Sequence, residues 1–214
     1  MIEGLLFDWD GVISDSFQNY YELCRHCCQK FGKTFIFSDL EDFRQRIHKT
    51  FPETFMQMGF GDIELEEVYA EHKIFTPHKN VPLCYGMKET LAATNGLKLG
   101  IVSSNFKDVI EKSLVMNGLL NRFSTIIGYD NTLKIKPSPE MLLKASKIIE
   151  IQPKNIVYIG DSRVDVMAAK AAGMKSIAVT WGYESQSNLE KENPDFIVKS
   201  PEEILGIVNE INGG

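Results

Sequence analysis

Short apolar runs alternate with helix-like segments over most of the chain, and most runs end in polar residues. The first run, Gly4-Leu5-Leu6-Phe7, is continuously apolar, which is typical of a strand buried on both faces of a parallel sheet. Further strands are predicted at residues 97–102, 125–127, 156–159, 176–179 and 196–198. Intervening helices are predicted at residues 87–94, 108–117, 138–150, 163–172 and 201–209. This alternation predicts an α/β fold with a doubly wound parallel sheet.

A different pattern separates the first strand from the rest of the sheet. Residues 15–31 suggest a helix that stops at Gly32, Ser38-Asp39-Leu40-Glu41 resembles a capping box, and residues 63–75 suggest another helix. The run Thr34-Phe35-Ile36-Phe37 is ambiguous. We therefore predict a helical cap at residues 15–81, inserted into a core of residues 1–14 and 82–214, with hinges near Ser14-Asp15 and residues 80–82.

Charge and hydropathy exclude several functional classes. The chain of 214 residues has a net charge of −6 and no prominent run of Lys or Arg, which argues against a surface that tracks nucleic-acid phosphates. No apolar stretch is long enough to span a membrane, and the N-terminus lacks a signal-peptide pattern. We expect a cytoplasmic protein with neither nucleic-acid nor membrane partners.

Three of the four cysteines cluster in Cys24-Arg25-His26-Cys27-Cys28. The segment is predicted to be helical, and no second pair with zinc-ligand spacing follows. A redox-active pair would instead follow a strand at the start of a helix. The sequence favours free thiols that are buried or partly buried over a redox-sensitive thiol or a metal site.

Polar residues follow the predicted strands and belong to the same edge of the sheet. In a parallel sheet, ligands bind beyond the carboxyl ends of the strands. The residues placed there are Asp8, Asp10, Ser103, Ser104, Asn105, Lys136, Asp161 and Asp165. Four acids at one edge repel one another unless a cation lies among them. Because Mg²⁺ prefers oxygen ligands and uses few carboxylates, we expect a magnesium site at this edge.

These residues resemble the four motifs of the haloacid-dehalogenase-like hydrolase superfamily. The motifs are Asp8-Trp9-Asp10-Gly11-Val12, Ser103 after a strand, Lys136-Pro137-Ser138-Pro139 and Gly160-Asp161-Ser162-Arg163-Val164-Asp165. Their order matches, and the helical insertion resembles the cap of the branch that includes phosphoglycolate phosphatase and β-phosphoglucomutase. Trp181-Gly182-Tyr183 is similar to the phosphoglycolate phosphatase side of that branch. The resemblance covers essentially the whole chain and implies a Rossmann-like core.

The resemblance implies a catalytic role for each residue. Asp8 would be the nucleophile that forms an aspartyl phosphate, and Asp10 the general acid and then the general base. Mg²⁺ would be held by Asp8, the backbone carbonyl of Asp10 and Asp161, with Asp165 orienting metal-bound water or Lys136. Ser103 and Lys136 would bind the phosphoryl group, assisted by the backbone N–H groups of Ser104 and Asn105.

The implied activity is Mg²⁺-dependent hydrolysis of a small phosphorylated metabolite by a monomer or homodimer. A sugar-phosphate mutase and a non-catalytic family member that binds a phosphorylated ligand or a partner protein remain alternatives. A dehalogenase is disfavoured, because Asp10 and the acids for Mg²⁺ are present.

Some residues have no role that the sequence assigns. Trp9 is bulkier than the small aliphatic residue usual between the two acids, and strand alternation directs its side chain away from them. Trp181 and Tyr183 are either packing aromatics or ligand contacts. The cap residues that could face a substrate are Arg25, Arg44, Arg46 and His48. The substrate itself is not indicated by any cap motif.

Overall fold

A six-stranded parallel sheet forms the centre of the protein in a computed structural model, which describes residues 1–47, 50–75 and 81–213. The strands are β1 (Gly4–Phe7), β2 (Lys98–Val102), β3 (Thr125–Ile127), β4 (Ile156–Gly160), β5 (Lys175–Val179) and β6 (Phe196–Val198). Their order is β3-β2-β1-β4-β5-β6. This is the Rossmann order. The order in which successive strands are added to the sheet reverses between β1 and β4, which leaves a crevice at the carboxyl ends of these two strands.

The chain divides into two compact units. The larger unit contains Met1–Asp15 and Pro82–Gly214, and the smaller unit contains Ser16–Val81. The helices of the smaller unit are α1 (Phe17–Lys30), α2 (Leu40–Arg46), α3 (Phe51–Gln57) and α4 (Asp62–Phe75). Those of the larger unit are α5 (Met87–Ala93), α6 (Lys107–Met116), α7 (Glu140–Ile149), α8 (Arg163–Ala172), α9 (Gln186–Glu190) and α10 (Glu202–Gly213). Single 3-10 turns occur at Leu120–Arg122, Tyr129–Asn131 and Pro153–Asn155.

Helices cover both faces of the sheet. Leu5 and Phe7 of β1 pack in one buried cluster with residues of α5, α6 and α10. Leu6, which points to the opposite face, packs with residues of α7 and α8. Alternation along a strand sends neighbouring side chains to opposite faces, so each residue of this continuously apolar strand has a helical layer to contact. The predicted α/β fold with a doubly wound parallel sheet is confirmed.

The smaller unit is built around aromatic side chains. Phe43 of α2 is fully buried, and its ring centroid lies 4.8 Å from that of Phe37 and 5.5 Å from that of Phe17. Phe51 of α3 stacks on Tyr20 and Tyr69. Such ring pairs add to the free energy gained by burying apolar area.

The cysteines follow the predicted pattern. All four are free and buried, so the expectation of buried free thiols is confirmed. Burial raises the pKa of the Cys27 thiol to about 12 and that of Cys28 to about 11.

The predicted N-cap residues of two helices are wrong by one residue. Asp39, not Ser38, caps α2, because its side chain accepts a hydrogen bond from the Asp42 backbone N–H at 2.9 Å. Pro139, not Ser138, occupies the N-cap position of α7. Residues 34–37 form no strand, and the short helices α3 and α9 were not predicted. Asn80, expected at a hinge, lies outside the described residues.

None of the helices formed by residues 1–47, 50–75 and 81–213 is long and apolar enough to cross a membrane.

Candidate active site

The carboxyl end of β1 places Asp8 between its two neighbouring strands. Phe7 pairs with Ile101 of β2 and with Ile159 of β4, and the Asp8 N–H continues the ladder by donating to the Ile159 carbonyl at 2.8 Å. The Asp8 Oδ1 atom accepts a hydrogen bond from the Trp9 N–H at 2.7 Å. Trp9 is buried in the apolar cluster of the β1 face that carries Leu5 and Phe7. The backbone thus fixes the direction of the Asp8 carboxylate.

Lys136 reaches the same place from the loop after β3. The residue is only 3% exposed. Its Nζ atom lies 2.9 Å from Asp8 Oδ2, 2.6 Å from Asp165 Oδ1 and 3.0 Å from the hydroxyl oxygen of Tyr158. A lysine ammonium has three N–H donors, so these three acceptors account for all of them. Lys136 is therefore an integral part of the site.

Asp165 lies in the first turn of α8 and is almost completely buried. Its Oδ1 atom accepts from Lys136, and its Oδ2 atom accepts from the backbone N–H of Ser162 at 3.0 Å and from the Ser162 hydroxyl. Both oxygens are thus engaged by protein donors. The short contact with Lys136, at 2.6 Å, suits a residue that orients this ammonium.

Asp161 follows β4 directly and is packed tightly by glycines. Its Oδ2 atom accepts a hydrogen bond from the Tyr183 N–H at 2.7 Å. A Cβ atom added to Gly182 would lie 2.3 Å from Asp161 Cβ, and one added to Gly11 would lie 2.1 Å from Asp161 Oδ2. Gly11 also has a φ of +73°, a conformation that favours glycine. Glycines on two loops therefore create the space for this carboxylate.

Asp8, Asp161 and Asp165 form one group of carboxylates. Each offers an oxygen atom within 4.8 Å of the others, and all three residues are buried. A set of oxygen ligands at this spacing fits a hard divalent cation such as Mg²⁺. The structure thus brings together three of the four acids that the sequence placed at the carboxyl edge of the sheet.

The electrostatics of the group also favour a cation. Burial raises the pKa of Asp8 to about 6, although Lys136 acts in the opposite direction. Burial and the carboxylates of Asp165 and Asp8 raise the pKa of Asp161 well above its usual range. Burial alone would lower the pKa of Lys136, but the carboxylates of Asp165 and Asp8 raise it above its usual value. Three buried carboxylates face one ammonium, so burial and the excess negative charge together raise the pKa values of Asp8 and Asp161, and the negative charge raises that of Lys136.

Asp10 lies at the rim of the group and is partly exposed. Its Oδ2 atom accepts a hydrogen bond from the Asn105 side-chain amide at 2.8 Å. Two of the residues predicted from the sequence, Asp10 and Asn105, are therefore in direct contact across 95 positions of the chain.

The loop after β2 carries the predicted phosphate-binding residues. Ser103 is buried and Ser104 is exposed. The Asn105 N–H donates to Ser103 Oγ at 3.2 Å, and the Phe106 N–H donates to Asn105 Oδ1 at 2.7 Å. The Asn105 N–H would have to exchange this partner in order to bind a phosphoryl oxygen.

The arginines of the smaller unit have local partners. The Arg44 guanidinium lies over the Phe17 ring, with its central carbon 3.9 Å from the ring centroid. Arg46 pairs with Asp42 at 2.8 Å, and Arg25 is exposed. His48 lies outside the described residues. Whether any of them contacts a substrate stays a prediction.

Sequence reasoning missed two contributors to the site. Tyr158 occupies an apolar strand run, where a tyrosine is easily taken for packing, yet its hydroxyl contacts Lys136. The Arg163 side chain donates from Nε to Glu184 Oε2 at 2.7 Å, which links α8 to the loop after β5. The sequence held one indication of the role of Tyr158, because a tyrosine interrupts a run of aliphatic residues that ends in Gly160-Asp161.

The chain belongs to the family of haloacid dehalogenase-like hydrolases, whose model matches residues 5–179. Membership makes the protein an enzyme of the hydrolase class and confirms the resemblance drawn from the four motifs.

Relatives within the family are similar over their whole length. Pyrophosphatase PpaX of Listeria innocua is 28% identical over 212 residues, which cover 98% of this chain and 97% of that protein. A crystal structure from Lactobacillus plantarum, provisionally described as a phosphoglycolate phosphatase, is 25% identical with a TM-score of 0.85 and covers 96% of this chain and 99% of that one. A predicted phosphatase from Clostridium acetobutylicum has the same fold, with a TM-score of 0.86 at 22% identity over 98% of this chain and 99% of that one.

Proposed function

We propose that the protein is a Mg²⁺-dependent phosphatase that hydrolyses small phosphorylated metabolites through an aspartyl-phosphate intermediate. The observation that carries this proposal is the contact of Lys136 with both Asp8 and Asp165, beside Asp161, at the carboxyl edge of the sheet. A buried ammonium, together with a divalent cation held by the carboxylates, can bind and polarise a phosphoryl group out of water, where charge interactions are strongest.

Asp8 is the proposed nucleophile. One of its carboxylate oxygens forms a bond to phosphorus while the bond from phosphorus to the leaving oxygen breaks, and Asp10 gives its proton to that oxygen. Asp10 then removes a proton from water, which attacks the phosphorus, releases phosphate and restores the Asp8 carboxylate. The contact between Asp10 and Asn105 supports this role, because it holds the carboxyl group at the rim of the site.

The Asp8 carboxylate, the Asp10 backbone carbonyl and Asp161 are the proposed ligands of Mg²⁺. When bound, Mg²⁺ supplies positive charge that lets an anionic phosphate approach the Asp8 carboxylate. Asp165 is proposed to orient Lys136, since it makes the shortest of the three contacts of the ammonium, at 2.6 Å.

Ser103, Lys136 and the backbone N–H groups of Ser104 and Asn105 are the proposed phosphoryl-binding groups. They lie in the loops after β2 and β3, and both strands end at the edge of the sheet that carries Asp8. The smaller unit is the proposed cap, which would exclude water and supply specificity by closing over the site.

The relatives suggest which substrates to test first. They are named as a pyrophosphatase and, provisionally, as a phosphoglycolate phosphatase. We propose a small, strongly anionic phosphate compound as substrate, in keeping with the lysine and the expected divalent cation.

A panel of phosphorylated metabolites that includes pyrophosphate and phosphoglycolate tests the proposal. We expect steady release of inorganic phosphate from at least one compound with Mg²⁺ and none after chelation. Conversion of a sugar phosphate to its isomer without phosphate release would instead identify a mutase. Binding without either reaction would identify a non-catalytic member and overturn the proposal.

A further inference from the structure

We propose that Tyr158 is a positioning residue that aims the Lys136 ammonium at Asp8. The effect of Tyr158 on catalysis rests on the proposed phosphoryl transfer. The positioning of Lys136 by Tyr158 does not depend on that proposal. Nothing in the four sequence motifs assigns a role to this tyrosine.

The Tyr158 hydroxyl is held in a defined orientation. The residue lies in β4 and is 1% exposed. Its hydroxyl oxygen lies 2.8 Å from the Val102 carbonyl oxygen, 3.0 Å from Lys136 Nζ and 3.2 Å from Asp165 Oδ1. A phenol has a single O–H donor, and the shortest of the two acceptor distances is that to Val102. The hydroxyl therefore donates to Val102 and offers its lone pair to the ammonium.

The geometry of Lys136 explains why this lone pair matters. Two of its N–H groups point at Tyr158 and Asp165, and the third points at Asp8 Oδ2. Fixing two donors of an ammonium also fixes the direction of the third. That third donor is the one that can pass from Asp8 to a phosphoryl oxygen when substrate binds.

A packing role does not require the hydroxyl. Tyr158 lies in an apolar cluster with Leu6 and Met141, where a phenylalanine ring would fill the same volume. A buried hydroxyl must find partners or cost free energy. Its partners here are the residue before Ser103 and the side chains of Lys136 and Asp165, so it connects the end of β2 to the loop after β3 and to α8.

Crystal structures of the wild type and of Tyr158→Phe test the positioning directly. The phenylalanine keeps the ring, whose centroid lies 5.6 Å from Lys136 Nζ, and removes only the hydroxyl. We expect Lys136 Nζ to shift away from Asp8 Oδ2 or to lose its single position. An ammonium that keeps its place would overturn the inference, whether or not the enzyme is active.

Kinetics on p-nitrophenyl phosphate test the catalytic consequence. We expect Tyr158→Phe to lower kcat about tenfold, as for the loss of a hydrogen bond to a charged group, with a smaller change in KM. Tyr85→Phe is the matched control, because Tyr85 is fully exposed in the same unit. An active wild type with an unchanged kcat for Tyr158→Phe would contradict the inference. A wild type that is inactive on p-nitrophenyl phosphate and on the whole metabolite panel would contradict the proposed function, while the crystal comparison would still decide the position of Lys136.

If Tyr158→Phe fails to fold, 3-fluorotyrosine at position 158 replaces it in both measurements. It keeps the ring and the hydroxyl, and its oxygen is a weaker acceptor. We expect a smaller fall in kcat, and an unchanged kcat together with an unmoved Lys136 would contradict the inference.

Discussion

The indole N–H of Trp181 donates a hydrogen bond to the Val12 carbonyl oxygen at 3.2 Å. This contact joins the loop after β5 to the loop that carries Asp10 and Gly11. Two residues further on, the Tyr183 N–H donates to Asp161 Oδ2. The loop after β5 therefore contacts both the loop of Asp10 and the side chain of Asp161. Substitutions in this loop should change metal affinity even though its residues are not proposed metal ligands.

Gly182→Ala should weaken Mg²⁺ binding by a factor between about five and about a hundred. The added Cβ atom would lie 2.3 Å from both Cβ and Oδ2 of Asp161, so the carboxylate or the loop must shift, at a cost of about 1–3 kcal/mol. Isothermal titration calorimetry with Mg²⁺ measures the effect.

Gly206→Ala is the matched control for this substitution. Its Cβ would meet no atom within 4 Å, and Gly206 lies inside α10. It should leave Mg²⁺ affinity unchanged and raise the free energy of unfolding by about 0.5–1 kcal/mol, because alanine is the better helix former. Equal Mg²⁺ affinities for the two variants would show that Gly182 has no part in holding Asp161.

Asp8→Asn should reduce kcat by at least about a thousandfold, since the amide is a far weaker nucleophile than the carboxylate. Phosphate release from the best substrate of the panel provides the measurement. Asp62→Asn is the control, because Asp62 is an exposed residue at the start of α4, and it should keep the wild-type rate. A near-normal rate for Asp8→Asn would exclude Asp8 as the nucleophile.

Lys136→Met should destabilise the fold by about 3–5 kcal/mol, because it leaves Asp8 and Asp165 buried without their shared cation. Urea unfolding without Mg²⁺ measures the difference. Lys134→Met removes an exposed lysine two residues away and should change the free energy of unfolding by less than about 0.5 kcal/mol. Similar unfolding midpoints for the two variants would show that the ion pairs of Lys136 contribute little.

Mg²⁺ should raise the melting temperature more at pH 7.5 than at pH 5. The pKa of Asp8 is raised to about 6, so the metal-free fold favours the protonated carboxyl group. This contribution to the free energy of unfolding is fully present below the usual Asp pKa and is lost as the pH rises through 6. Mg²⁺ binds the ionised form and must displace a proton at pH 5. Saturating Mg²⁺ should raise the melting temperature by about 5–10 °C at pH 7.5.

Thermal unfolding at both pH values, with NaCl of equal ionic strength as the control, measures this difference. An equal Mg²⁺ effect at the two pH values would contradict the raised pKa.

The cysteines should resist alkylation in the native state. Burial raises the pKa of Cys24 well above its usual value and that of Cys84 to about 12, so almost no thiolate exists at pH 8. Mass spectrometry after iodoacetamide treatment should show no adduct on the native protein and four on the urea-unfolded protein, one for each cysteine. Rapid labelling of the native protein would contradict the burial of these thiols.

The sequence predicted those features that depend on strand ends. Asp8 and Asp161 each follow a continuously apolar run, and parallel strands bring their carboxyl ends to one edge, so their proximity could be inferred without coordinates. Lys136 was found by its motif. These residues now lie in one buried group.

The features that the sequence did not predict are of two kinds. Some depend on a choice between adjacent residues that could both cap a helix, and others on contacts between residues far apart in the sequence. Ser38 and Asp39 are adjacent and both are good helix caps, so the pattern could not choose between them. The contact of Trp181 with Val12 spans 169 positions and involves a backbone carbonyl that carries no side-chain signal. Tyr158 could be distinguished from a packing residue only by the acceptors and donors around its hydroxyl.

The position of β1 in the sheet has a consequence for biosynthesis. Residues 4–7 are synthesised before their hydrogen-bonding neighbours, which are residues 98–101 and 156–159. A nascent chain therefore carries this apolar strand with two open edges until residues 98–101 have emerged, and with one open edge until residues 156–159 follow. Unpaired apolar strands promote aggregation. The segment that ends at the candidate nucleophile is therefore prone to aggregate during translation until its neighbouring strands have been made.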